Sequence, residues 1–259
     1  MTIIHLPQRK SREALRLAIK LFNADTLPSG EMLDRVRILA DECRHRDPAD
    51  SAEAMGFLAV MKNDVEGMLS SFATALRHSQ TPAITMQNFL SCLMAVGQIS
   101  FAARKAREFL ATHGEGNPGL LALALMLYMT IPDMENTTQL AEKLSASGVD
   151  MDTIDYHPEI IKDLSTFLEE SGICEKDLQY AVSSYVEELA NGNCRIKSMS
   201  WAEIDIKEIG YPFSFTVSVV AEENAFLRAD HLAVKRLIRD KNIPTSILKN
   251  VLFSAEMVF

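Results

Sequence analysis

Through most of its first 190 positions the chain spaces its apolar residues at intervals of three and four. That spacing lines them along one side of a helix instead of alternating them across a strand. Between residues 48 and 79, Met55, Leu58, Ala59 and Met61 mark a first face. The polar run Lys62-Asn63-Asp64 interrupts it, and Met68, Phe72, Ala75 and Leu76 mark a second. Residues 82–113 repeat the scheme with Phe89, Leu90, Leu93 and Met94, a break at Gly97-Gln98, then Phe101, Ala102, Ala106, Phe109 and Leu110. Residues 118–146 do so again around Ile131-Pro132-Asp133, and residues 9–46 keep the same length and amphipathic character. Two further helices are expected over 158–171 and 175–190, the second stopped by Asn191-Gly192-Asn193.

The helix starts are themselves periodic. Asp47-Pro48, Thr81-Pro82 and Asn117-Pro118 lie 34 and 36 residues apart, each joining an N-cap residue to a proline suited to the first helical position. His157-Pro158 opens a looser fourth copy. His45, His78 and His113 sit just upstream of the three prolines, where the preceding helices end and an imidazole can meet the last carbonyls. A fixed period near 34 residues is the signature of a helical repeat.

The stretch Met55-Gly56, Asn63-Asp64-Val65-Glu66 and Phe72-Ala73-Thr74-Ala75-Leu76 resembles a tetratricopeptide repeat. It has a small residue where two helices cross, a polar turn, and a second helix of the form F-x-x-A-L. Gly56 and Ala75 are the small residues that let two helix axes approach to about 8 Å. Residues 82–113 fit less closely, with Leu90 in place of the crossing glycine, and no repeat carries the family's tryptophan. The resemblance implies a mainly α fold, a tetratricopeptide-like α-solenoid of antiparallel helix pairs over residues 9–192. It also implies a groove lined by the first helix of each pair, in which a peptide or helix of another protein lies. Carried over by position, Asp50, Glu53, Phe57 and Val60, then Ile84, Gln87, Ser91 and Met94, then Leu120, Leu123 and Leu127 line that groove. Such a lining suits an apolar or amphipathic segment and lacks the basic clamp used for acidic peptide tails.

The period changes after residue 193. Residues 213–221, FSFTVSVVA, alternate apolar and small polar side chains and predict a strand; residues 195–206 are a weaker strand, with Gly210-Tyr211-Pro212 as the turn between them. Residues 224–240 return to a helix, and 247–259 are ambiguous between strand and helix. The expectation is a small α+β unit of β-β-α type over 193–259, capping the solenoid or standing as its own module.

Composition narrows the function classes. The 259 residues are 47% hydrophobic and 24% charged, which is ordinary for a folded chain. The first ten residues hold too short an apolar run for a secretory leader, and no later stretch is apolar enough to span a bilayer, so a cytoplasmic protein without membrane partners is expected. A net charge of −9 argues against coating nucleic acid. Residues 133–188 are strongly acidic, a solvated face or a docking surface for a basic partner. Basic clusters at Arg35, Arg37, Arg44 and Arg46, and at Arg228, Lys235, Arg236 and Arg239, keep a nucleic-acid-associated regulator as the alternative function.

Cys43, Cys92, Cys174 and Cys194 lie 49, 82 and 20 residues apart and show no metal-binding spacing, so no metal or cofactor is expected. Phosphate loops, zinc-protease and serine-hydrolase motifs are absent. Gly114-Glu115-Gly116 reads as an inter-repeat loop, and Asp230-His231 as helix neighbours pointing about 100° apart. Methionines at 55, 61, 68, 86, 94, 126 and 129 lie on apolar faces and read mostly as core. The expected function is therefore non-enzymatic: a protein–protein interaction scaffold holding a peptide or protein, with self-association left open.

Overall fold

The computed structural model describes residues 10–113, 116–154, 156–204 and 212–258. Part of the Gly114-Glu115-Gly116 loop and the Gly210-Tyr211 portion of the expected turn lie outside these residues. The chain forms two compact units, residues 1–92 and 93–259.

The first unit is a run of consecutive helices: α1 (Lys10–Asn23), α2 (Gly30–Cys43), α3 (Pro48–Met61), α4 (Val65–His78) and, as far as Cys92, α5 (Pro82–Ala95). The α3–α4 turn and the starts of α3 and α5 fall where expected, and residues 24–29 separate α1 from α2. Asp64 caps α4 by accepting from the Gly67 amide at 2.8 Å, and Asn63 takes the left-handed conformation in the same turn (φ 55°). Asp47 precedes Pro48 but does not cap α3, because its carboxylate accepts from the Ser11 hydroxyl of α1 instead, at 3.0 Å. Four phenylalanines thread the core in sequence, Phe22, Phe57, Phe72 and Phe89, with ring centroids 5.1, 5.8 and 5.1 Å apart. Gly56 lets α3 and α4 meet: a Cβ there would lie 2.5 Å from the Phe72 ring. The crossing glycine inferred from the sequence is thus a true close approach.

The second unit continues with α6 (Ile99–His113), α7 (Pro118–Thr130), α8 (Met134–Ala146), a 3-10 turn (Met151–Ile154), α9 (Pro158–Ser171) and α10 (Glu175–Asn191). Then follow β1 (Arg195–Glu203), β2 (Phe213–Val220), α11 (Glu223–Arg239), α12 (Thr245–Asn250) and β3 (Val251–Met257). Asn117 caps α7 through the Leu120 amide at 2.9 Å, and Asp133 caps α8 while binding Arg107 at 2.8 Å. Gly97, at φ +75°, packs its bare α-carbon against α10, where a Cβ would lie 2.7 Å from that of Ala190.

The expected β-β-α unit is corrected to β-β-α-α-β. The ambiguous tail resolves into both alternatives, the short helix α12 running directly into the strand β3. The sheet order is β1-β2-β3, with β1 antiparallel to β2 (Trp201 opposite Phe215) and β3 parallel to β2 (Phe253 opposite Phe215). A parallel neighbour needs a crossover, which α11 and α12 supply. The FSFTVSVV alternation turns Phe213, Phe215, Val217 and Val219 into the core and leaves Ser214, Thr216 and Ser218 on the outer face. There Thr216 bonds Ser254 at 2.9 Å and Ser218 bonds Glu256 at 2.7 Å. No helix among the described residues is long and apolar enough to cross a membrane.

Candidate binding cleft

Several positions that the repeat resemblance assigns to a groove are buried within their own unit. Phe57 is 2% exposed and Val60 4%, both in the first unit's core, with Phe57 covered by Phe22 of α1 edge-on. Leu120 and Leu127 on α7 are buried as well. The physical reason is that α3 and α7 are apolar almost all round and bury residues on several faces, although Met126 of α7 stays exposed. Gln87, Ser91, Met94 and Leu123 are half-buried and Ile84 is exposed. Phe57 and Val60 of the first unit, and Leu120 and Leu127 of the second, are therefore enclosed side chains within their own units.

Glu53, the other would-be groove residue, is buried in the first unit and serves as a polar tie. Asn88 donates to one of its carboxylate oxygens and Thr85 to the other at 3.1 Å, joining α3 to α5. Burial raises its pKa above the ordinary carboxylate value, against the lowering effect of the two hydrogen bonds.

An accessible cavity does occur in the second unit, where the end of α7, the 3-10 turn, the start of α9 and β1 converge. It measures about 90 Å³ and is lined by Met126, Met129 and Thr130, by Ile154, His157, Ile160 and Ile161, and by Met199, Ser200 and Trp201. Trp201 fixes one wall. Its indole donates to the Thr130 carbonyl at 3.1 Å and its ring leans on Phe215 at 4.9 Å. His157 stands on the lining beside Glu159, Nδ1 to Oε1 at 3.3 Å. The lining is therefore mostly apolar, rich in flexible thioethers, with Thr130, Ser200 and His157 as its polar residues beside the Trp201 indole.

Size decides what can enter. Cofactor and drug-like sites run to some 300–1,000 Å³, whereas 90 Å³ holds a few waters or one medium apolar side chain. A second depression of about 650 Å³ lies over α8, the 3-10 turn and α9, between Ala141, Glu142, Ser145, Met151, Tyr156 and Pro158. It is a broad, shallow surface with Glu142, Ser145 and Tyr156 as its polar residues.

Among the described residues, no three His, Cys, Asp or Glu side chains come together as a metal site. The strongly perturbed groups are packing groups: burial pushes the Tyr185 phenol up, with nearby Asp230 adding to it, and lifts the Cys194 thiol to about 11. Asp230 accepts from the Tyr185 hydroxyl at 3.0 Å, so its carboxylate ties α10 to α11. The basic clusters are partly spent in ion pairs. Arg35 meets Glu13, Arg37 meets Asp34 and Asp41, and Arg236 is held by Glu187 and Glu188 at 3.1 and 3.0 Å.

The cleft residues escaped sequence reading because they come from three separated segments, each unremarkable alone. Met126 and Met129 carried the available signal, two adaptable side chains three apart at the end of an otherwise leucine-rich helix. Compared with protein-family models, with curated proteins and with solved structures, the chain matches none.

Proposed function

We propose that this protein is a binding module of the helical-repeat class that holds another protein through one apolar side chain seated in the cleft between α7, α9 and β1. In this reading the helix pairs are degenerate relatives of tetratricopeptide repeats that have given up the open groove. What carries the reading is the cleft itself: an accessible, methionine-rich cavity of side-chain size walled by Met126, Met129, Ile160, Met199 and Trp201. Methionines suit it because unbranched thioethers reshape around ligands of different outline. An occupant of stated chemistry follows, a segment with one leucine- or methionine-sized anchor.

Seating such an anchor is worth about 1.5–3 kcal/mol, or about 10- to 150-fold in Kd. Selection of displayed random peptides on the full chain, followed by titration on the fluorescence of Trp201, tests this. Trp201 is the sole tryptophan and part of the cleft wall. Enriched peptides should share an apolar anchor and perturb that fluorescence, and Met199→Asp or Ile160→Asp should weaken them at least tenfold. Failure to enrich, or binding indifferent to both substitutions, refutes the proposal.

A further inference from the structure

Helix α11 carries the two most exposed large apolar side chains among the described residues, Ile238 at 68% and Leu227 at 59%. Its packing face is Ala229, Ala233 and Leu237. At 100° per residue, the row Leu227, His231, Val234 and Ile238 lies roughly 130° around the helix from that face. All four of these side chains are exposed. Their separations of four, three and four residues are those of alternating d and a positions in a coiled-coil seam.

The flanks decide what fits the seam. On this register the positions beside it on one flank are Arg228 and Lys235, both basic, and on the other the acidic Glu223 and Asp230, followed by Leu237 of the packing face. Among the described residues Glu223, Arg228 and Lys235 enter no ion pair, whereas Arg236, off the seam, is engaged by Glu187 and Glu188. In a parallel pair the acidic flank of each helix faces the basic flank of the other, with Glu223 against Arg228 of a second copy, twice by symmetry, while Asp230 stays engaged by the Tyr185 hydroxyl of its own chain. An antiparallel pair sets Arg228 against Lys235, like against like.

We propose that two copies of this chain associate in parallel through α11, with Leu227, His231, Val234 and Ile238 forming the seam. The seam is only about 16 Å long, which places it among small, transient interfaces with Kd between about 10 μM and 1 mM.

Sedimentation equilibrium of the full chain from about 5 μM to about 1 mM reads the association directly. The wild-type mass should rise from monomer toward dimer. Ile238→Asp should hold it at monomer with an unchanged circular dichroism spectrum. Arg228→Glu should weaken association at least tenfold, and the charge-swapped pair Glu223→Lys/Arg228→Glu should recover it. A chain that stays monomeric overturns the proposal, as does dimerisation unaffected by Ile238→Asp. Arg228→Glu without recovery in the swapped pair overturns the parallel arrangement. A monomer that instead cosediments with anionic phospholipid vesicles assigns the stripe to a lipid surface, and also overturns it.

Discussion

Replacing Gly56 with alanine adds one methyl group where α3 meets α4. That Cβ would lie 2.5 and 2.7 Å from two carbons of the Phe72 ring, about 1 Å inside normal contact. The ring has nowhere to go: it is fully buried, with Phe57 edge-on at 5.8 Å and Phe89 stacked at 5.1 Å. Two effects therefore compete. Alanine favours the helix interior over glycine by about 1 kcal/mol, while overpacking a rigid core costs about 1–3 kcal/mol. The net expectation is destabilisation by up to about 2 kcal/mol. Urea unfolding followed by circular dichroism measures it as a fall in the transition midpoint. Phe72→Leu removes the clashing ring edge, so in that background Gly56→Ala should become neutral or stabilising, a coupling of about 1–2 kcal/mol. The reasoning fails if Gly56→Ala stabilises the wild type, or if its penalty is unchanged beside Leu at 72.

Three further outcomes follow from buried groups. Because burial raises the folded pKa of Glu53, the native state favours its protonated form; stability is greatest below the ordinary carboxylate value and falls as pH rises through the raised one. Glu53→Gln should therefore be the more stable protein at neutral pH, with its advantage shrinking in thermal melts toward acid pH; a constant difference refutes this. Trp201→Phe leaves the Thr130 carbonyl without its indole donor and should lower stability by about 1–3 kcal/mol in urea melts. Of the four cysteines only Cys174 is exposed, so a thiol reagent should modify one group per native chain and four after denaturation.

Much of the helical order was legible because periodicity, capping residues and proline placement agree. Pro48, Pro118 and Pro158 each open a helix, and Gly56 sits at the crossing its size implies. Phe57, Val60, Leu120 and Leu127 are buried although the resemblance puts them on a groove, because it assigns a side chain by its position in the repeat, while burial depends on what covers it. Residues 54–60 hold no polar side chain at all, and a helix of that kind has no solvent face. That signal opposed an open lining at Phe57 and Val60. The tail was ambiguous for a different reason. ILKNVLF spans a helix end and a strand start, so neither period completes within it. The cleft was beyond local reading altogether, since Met126, Ile160 and Met199 meet only once the fold has formed.

The two proposed surfaces differ in what they can do alone. One apolar anchor contributes about 1.5–3 kcal/mol, while micromolar binding needs about 8 kcal/mol, so a single cleft holds a single-anchor peptide weakly. Two chains joined through α11 present two clefts, and a ligand with two anchors then meets the second at an effective concentration in the millimolar range. The apparent affinity for a tandem, two-anchor peptide should therefore rise as protein concentration passes the dimer Kd. That for a single-anchor peptide should not. Ile238→Asp should abolish the concentration dependence and leave single-anchor binding intact, while Met199→Asp should weaken both. Equal behaviour of the two peptides at every concentration would show that pairing and cleft are uncoupled.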